Sequence, residues 1–181
     1  IGELNQIEAS KGYGASTYEG FMRKADNVYK APAPATATTK PAAKQDTRVV
    51  ANKIDMSISG YYYNTHYDFD AATNSYVRFE GGASHEELNK DGGRTQIKPK
   101  VVVAMVTQYG LAADDHHSFY TVVGSGKAFI FQDGTVTTAT WNKPDAKSQI
   151  LFNDAAGKPI GLNAGQTWLT ALSADNQVTY Q

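Results

Sequence analysis

From Arg48 to the C-terminal end, apolar and polar residues alternate with a period of two, and that rhythm favours strands over helices. In "YYYNTHYDFD" the period places Tyr61, Tyr63, Thr65, Tyr67 and Phe69 on one strand face. Tyr62, Asn64, His66, Asp68 and Asp70 fall on the other. After the turn "AATN", the run "SYVRF" returns with Val77 and Phe79 on one side. Further short runs follow: "KVVVAMVTQY", "SFYTVV", "KAFIF", "TVTTATW", "SQILF", "QTWLTAL" and "QVTY". The turn signals "DGG", "QDGT" and "DAAGKP" separate most of them. Many short strands without helical crossovers predict a mainly β domain over residues 48–181, an antiparallel sandwich or barrel-like sheet. The inward tyrosines are expected to form core or inter-sheet packing. Trp168 reads as a core anchor on a central strand, because "GQTWLTAL" carries apolar residues on both faces.

The first 47 residues do not share the rhythm. "IGELNQIEA" has room for two helical turns, and a short strand is expected around Phe21 and Met22. "APAPATATTKPAAK", from Ala31 to Lys44, has three prolines and no large apolar side chain, the composition of an extended linker. A start at Ile1 instead of Met leads us to expect further sequence upstream.

Composition narrows the function classes. At 41% hydrophobic residues the chain can bury a real core, while net charge −1 supplies no pull toward nucleic acid or an anionic membrane. No run reaches the roughly 18 apolar residues of a membrane span. Zero cysteines exclude thiol catalysis, disulfides and thiolate metal sites.

Two motifs in "DDHHSFYTVVGSGKAF" invite a ligand. A phosphate loop needs an earlier glycine, a hydroxyl residue after the lysine and a following helix. Here Thr121 stands at the glycine position, Ala128 follows Lys127, and strands flank the motif. Gly124 and Gly126 therefore read as a bulge or kink in a strand pair. Asp114, Asp115, His116 and His117 read as a solvated hairpin tip, since adjacent strand histidines face apart and zinc wants three or four convergent ligands. No Ser-His-Asp order, paired-carboxylate spacing or metalloprotease helix emerges. We expect no catalytic residue, no metal and no cofactor. Tyr62, His66 and Trp141 remain binding candidates, as residues able to meet a ligand.

Five pieces in order, "YDFDAATNSYVRFEGGASHEE", "KPKVVVAMV", "VVGSGKAFIFQDG", "ATWNK" and "LFNDAAGKPIGLNAGQTWL", resemble the C-terminal domain of the YerB-like family of bacterial lipoproteins. The resemblance covers most of residues 54–172. It implies a lipid-anchored, extracytoplasmic envelope protein of a Gram-positive-type bacterium, α+β overall, whose α/β N-terminal domain is mostly outside this chain. Residues 1–47 would then hold that domain's closing segment and the linker. Lys30-Ala31-Pro32 fits the family's pattern there, but Ala33, Pro34 and Thr36 replace its His, Asn and Tyr, so an activity that relied on those side chains is not expected of this chain. His85 matches a family histidine and Glu87 stands where Asp is expected; with Arg78 they are the best polar candidates. The resemblance names no reaction. The leading expectation is a non-catalytic binding or scaffolding module whose partner is an envelope protein or cell-wall component, with membrane contact only through an upstream lipid anchor. The rivals are a carbohydrate module for cell-wall polymer, suggested by eleven tyrosines and two tryptophans, and a metal-assisted hydrolase built on His85 with Glu87 and His116 with His117.

Overall fold

A computed structural model describes residues 6–7, 9–12, 20–24, 48–114 and 116–181. The tract Ala31–Lys44, the Lys30-Ala31-Pro32 match with its neighbours and Asp115 lie outside the described residues. Helical backbone occurs at Gln6, Ile7, Ala9 and Ser10. All other regular structure among the described residues is strand or short 3-10 turn.

Two main sheets pack face to face, and among the described residues neither closes into a barrel. The first has the spatial order Leu151–Asn153, Thr135–Lys143, Gly124–Gln132, Val101–Val106 and Thr167–Leu172, with Val49–Val50 also pairing along Thr135–Lys143. The second runs Val178–Tyr180, Lys53–Met56, Thr65–Asp70, Ser75–Glu80, Ala83–Ser84. Pairing is mostly antiparallel. Thr167–Leu172 runs parallel to Val101–Val106, and Arg23–Lys24 runs parallel to Leu162–Asn163.

The period-two pattern accounts for the core. Tyr67 from the second sheet and Val102, Ala104, Phe129 and Phe131 from the first point between the sheets, with Ile54, Met56 and Tyr76. Alternate residues of the same first-sheet strands, Val101, Val103, Met105, Ala128 and Ile130, point the other way into a second cluster with Trp141, Phe152 and Leu162. Phe21, Ile150 and Ile160 cover that second cluster. The first sheet is thus buried on both faces, which is why "KVVVAMV" is apolar at every position after its lysine. Each fully buried Val, Ile or Phe stabilises by about 1.5–3 kcal/mol relative to exposure.

Four local readings need correction. The strand expected from Tyr61 begins at Thr65, and Tyr61–Tyr63 form a 3-10 turn. All three tyrosines are well exposed, so Tyr61 and Tyr63 are not core residues. Asn64 explains the break: its side chain accepts the Ile58 N–H at 2.9 Å, and its backbone N–H closes the turn onto Gly60. The short strand expected around Phe21 and Met22 lies at Arg23–Lys24. Gly124 and Gly126 make no bulge, because the register from Gly124↔Lys143 to Gln132↔Thr135 is unbroken. Gly126 is there for space: a Cβ would sit 2.6 Å from Trp141 Nε1 and 2.7 Å from the Val106 carbonyl oxygen. Those two atoms hydrogen-bond to each other at 2.7 Å across the glycine. Finally, Thr167–Leu172 lies at an edge of its sheet, so Trp168 is on an edge strand and only partly buried.

Candidate functional site

Arg78 lies opposite Tyr67 in the second sheet and is 4% exposed. A buried guanidinium persists only if its donors and charge are satisfied. Arg78 Nε donates to the Tyr67 hydroxyl at 3.1 Å, and one terminal nitrogen donates to Glu80 Oε2 at 2.9 Å. The guanidinium carbon sits 4.1 Å from the centre of the Trp168 ring, a cation–π stack that joins the second sheet to the edge of the first. Burial raises the Tyr67 phenol pKa, with Arg78 opposing the shift.

His85 completes the cluster. Its Nδ1 lies 3.0 Å from Glu80 Oε2, within ion-pair distance but not aligned as a hydrogen bond, and its ring meets Trp168 edge-on at 5.6 Å. The backbone fixes this placement. Arg78 N donates to Ile97 O at 3.0 Å, Ile97 N to His85 O at 2.9 Å, and His85 N to Arg78 O at 3.1 Å. Gln96 Nε2 also donates to Arg78 O at 3.0 Å.

Beside this knot a shallow groove of roughly 730 Å³ opens between Glu87, Arg94, Gln96, Ile97, Lys98 and Gln166. The hairpin Glu86–Leu88 with Arg94–Gln96 forms much of its wall. Of the sequence candidates, Arg78 and His85 therefore meet in one cluster, and Glu87 lines the adjoining groove. Arg78 is sequestered and His85 is partly buried; Glu87 is exposed to anything that enters.

The remaining candidates lie elsewhere. His66 bridges Asp55 at 2.8 Å and Asp68 at 3.1 Å, so both ring nitrogens are engaged on an outer sheet face. Tyr62 stands on the exposed turn, edge-on to Tyr61 at 5.6 Å. A Cβ at Gly82 would meet the Tyr61 hydroxyl at 2.4 Å, so the glycine there leaves room for that side chain. Trp141 offers no surface at 2% exposure, and its indole N–H is engaged by Val106; packing explains it. Asp114, between the strands Tyr109–Leu111 and Ser118–Tyr120, accepts the backbone N–H groups of His116 and His117 and pairs with the His117 ring at 2.5 Å. That arrangement is a hairpin tip held by its own aspartate. Among the described residues no three His, Asp or Glu side chains converge on a point suited to a metal.

Sequence reasoning missed Asp133. Asp133 and Gly134 have φ of 58° and 66°, the left-handed pair of a tight hairpin. The carboxylate is buried at 2% exposure. It accepts Lys24 Nζ at 2.6 Å, Asn74 Nδ2 at 2.9 Å and Asn163 Nδ2 at 2.7 Å, with Arg48 at 3.4 Å. Burial acts to raise its pKa, and the hydrogen bonds from Lys24, Asn74 and Asn163 outweigh burial and hold it below the ordinary carboxylate value. The Asp-Gly dipeptide signals the turn; nothing local signals the four partners.

The profile of the family described as "Protein of unknown function (DUF3048) C-terminal domain" matches residues 54–169. The structure is similar to the crystal structure of the YerB protein from Bacillus subtilis, with a TM-score of 0.70 at 14% identity over 98% of this chain and 52% of that one. This chain therefore spans about half the length of that protein, and the likeness speaks for the fold. No curated protein matches.

Proposed function

This chain belongs to the DUF3048 C-terminal domain family, and from that premise we propose that it is a non-catalytic binding module of an extracytoplasmic, lipid-anchored protein in a Gram-positive-type cell envelope. The sequence resemblance supports the location. The observation that carries the binding role is the groove beside Arg78, which offers Glu87, Arg94 and Lys98 together with the amides of Gln96 and Gln166. Charges of both signs beside backbone and amide groups suit an extended polypeptide segment of a partner envelope protein. The Arg78, Glu80 and His85 cluster serves as the groove's rigid foundation, because the charges of Arg78 and Glu80 already answer one another.

The test is site-specific photocrosslinking in the expressing cells, with the crosslinker at Thr95 in the groove and a control at exposed Ala155. A discrete adduct from Thr95 alone, lost on Glu87→Lys with Arg94→Glu, is expected. Equal labelling from both sites, or an adduct indifferent to the charge reversal, would refute the groove.

The exposed Tyr61–Tyr63 turn favours a second reading, contact with a cell-wall sugar polymer through aromatic rings. Tyr62 is 79% exposed, so Tyr62→Ala should shift stability by no more than about 0.5 kcal/mol. On this reading the same variant loses sedimentation with purified cell-wall polymer. Unchanged sedimentation would discard it.

A further inference from the structure

Residues Gly20–Lys24 are distant in sequence from the domain they complete. Arg23 and Lys24 pair in parallel with Leu162 and Asn163, and Leu162 N donates to Met22 O at 2.9 Å. Two ladder positions hold a strand weakly, so the side chains must specify the docking. Three of them, Phe21, Arg23 and Lys24, have receptors, while Met22 is exposed. Phe21 packs partly buried on the second core cluster, stacking on Phe152 at 6.0 Å, and lines one apolar slot with Ile150, Phe152, Pro159, Ile160 and Leu162. Arg23 donates to Asn163 O at 2.9 Å and Thr167 Oγ1 at 2.8 Å. Lys24 reaches the buried Asp133 carboxylate at 2.6 Å.

We propose that this strip is a strand-acceptor site, recognising an extended segment of the pattern aromatic, any residue, cation, cation, and that Gly20–Lys24 is its exchangeable ligand strand. The acceptor is built by the β domain alone: Asp133 is already bound by Asn74 and Asn163, and Phe152 and Leu162 belong to the second core. Its chemistry divides the work between an apolar slot that gives affinity and two polar receptors that fix register. A strand supplied in trans, from a second copy or as a free peptide, meets the same receptors as the strand supplied in cis. Leu162–Asn163 pairs with no other strand among the described residues, so the added segment supplies its ladder partner, and strand pairing with an extended peptide is a general mode of recognition. The segment Gly20–Lys24 is therefore an occupant of the β domain.

The experiment uses the full chain with a sequence-specific protease site placed between Lys40 and Pro41, cleaved after folding. Size-exclusion chromatography then reports whether the N-terminal piece remains bound. Fluorescence anisotropy follows its replacement by a labelled synthetic peptide of residues 17–28. We expect the piece to co-elute and the excess peptide to replace it, with Phe21→Ala and Lys24→Ala peptides binding about tenfold more weakly or worse. These substitutions lie in the ligand strand, so they leave the acceptor's own fold untouched. The proposal is overturned by immediate separation while the β piece keeps its circular dichroism spectrum, by a bound piece that never exchanges, or by variant peptides that bind like the parent. Loss of the β spectrum on cleavage also overturns it, since the strand would then be part of the folding core.

Discussion

Asp133 gathers donors from three parts of the chain onto one buried carboxylate: Lys24, Asn74 and Asn163. Its folded-state pKa lies below that of the unfolded chain, so its contribution to stability is full above about pH 4 and is lost as pH falls through the lowered value. Asp70, Asp114, Asp145 and Asp175 are lowered too, each chiefly by a side-chain hydrogen bond, and act in the same direction. A comparison isolates the buried group. Urea unfolding from pH 6 to pH 2 should show stability of the parent falling more steeply toward acid than that of Asp133→Asn, with the curves converging at the acid end. Parallel curves would mean that the carboxylate's charge does not matter. None of this was legible in "QDGT", because turn chemistry is local and the convergence of Lys24, Asn74 and Asn163 is not. Gly126 teaches the same point: its neighbourhood in sequence suggested a kink, and its reason is an indole hydrogen bond from a strand beside it.

At the scale of the element, alternation located the strands well and their neighbours poorly. Thr65 and Tyr67 face the core as the period requires, and residues 101–105 are buried throughout because both faces are covered. The same period carried the strand too far back, since Gly60 and Asn64 end it by hydrogen bonds that alternation cannot register. Trp168 exposes a second limit. Apolar residues on both faces of "TWLTAL" were read as a central strand, yet this edge strand acquires its second partner layer from side chains, Arg78 above all. Of the candidate site, the pattern could supply Arg78, His85 and Glu87 as polar residues worth noting but not the Ile97 backbone bonds that assemble them. Trp168→Ala should therefore cost about 3 kcal/mol, from lost aromatic burial and from leaving the Arg78 guanidinium without its ring. Thermal unfolding measures it. Trp168→Phe should recover most of the loss, whereas equal damage by both substitutions would argue against the stack.

For the whole molecule, the sandwich sets a hierarchy of distances along the chain. Hairpins such as Gln132 with Thr135 join near neighbours. The second sheet closes on Val178–Tyr180 from the far end, against Lys53–Met56. Among the described residues the strand at Arg23 reaches far along the chain, to the Asn163 carbonyl 140 residues on and the Thr167 hydroxyl 144 residues on. A ribosome adding about 5–20 residues per second makes the ligand strand wait on the order of ten seconds for its receptor. Until Asp133 is made the Lys24 ammonium has no carboxylate, and until Phe152 and Leu162 follow the Phe21 ring has no slot. The nascent segment is thus open to chaperones or to an already finished neighbour for most of the time the domain takes to be made, and the order of synthesis itself decides which acceptor it meets first.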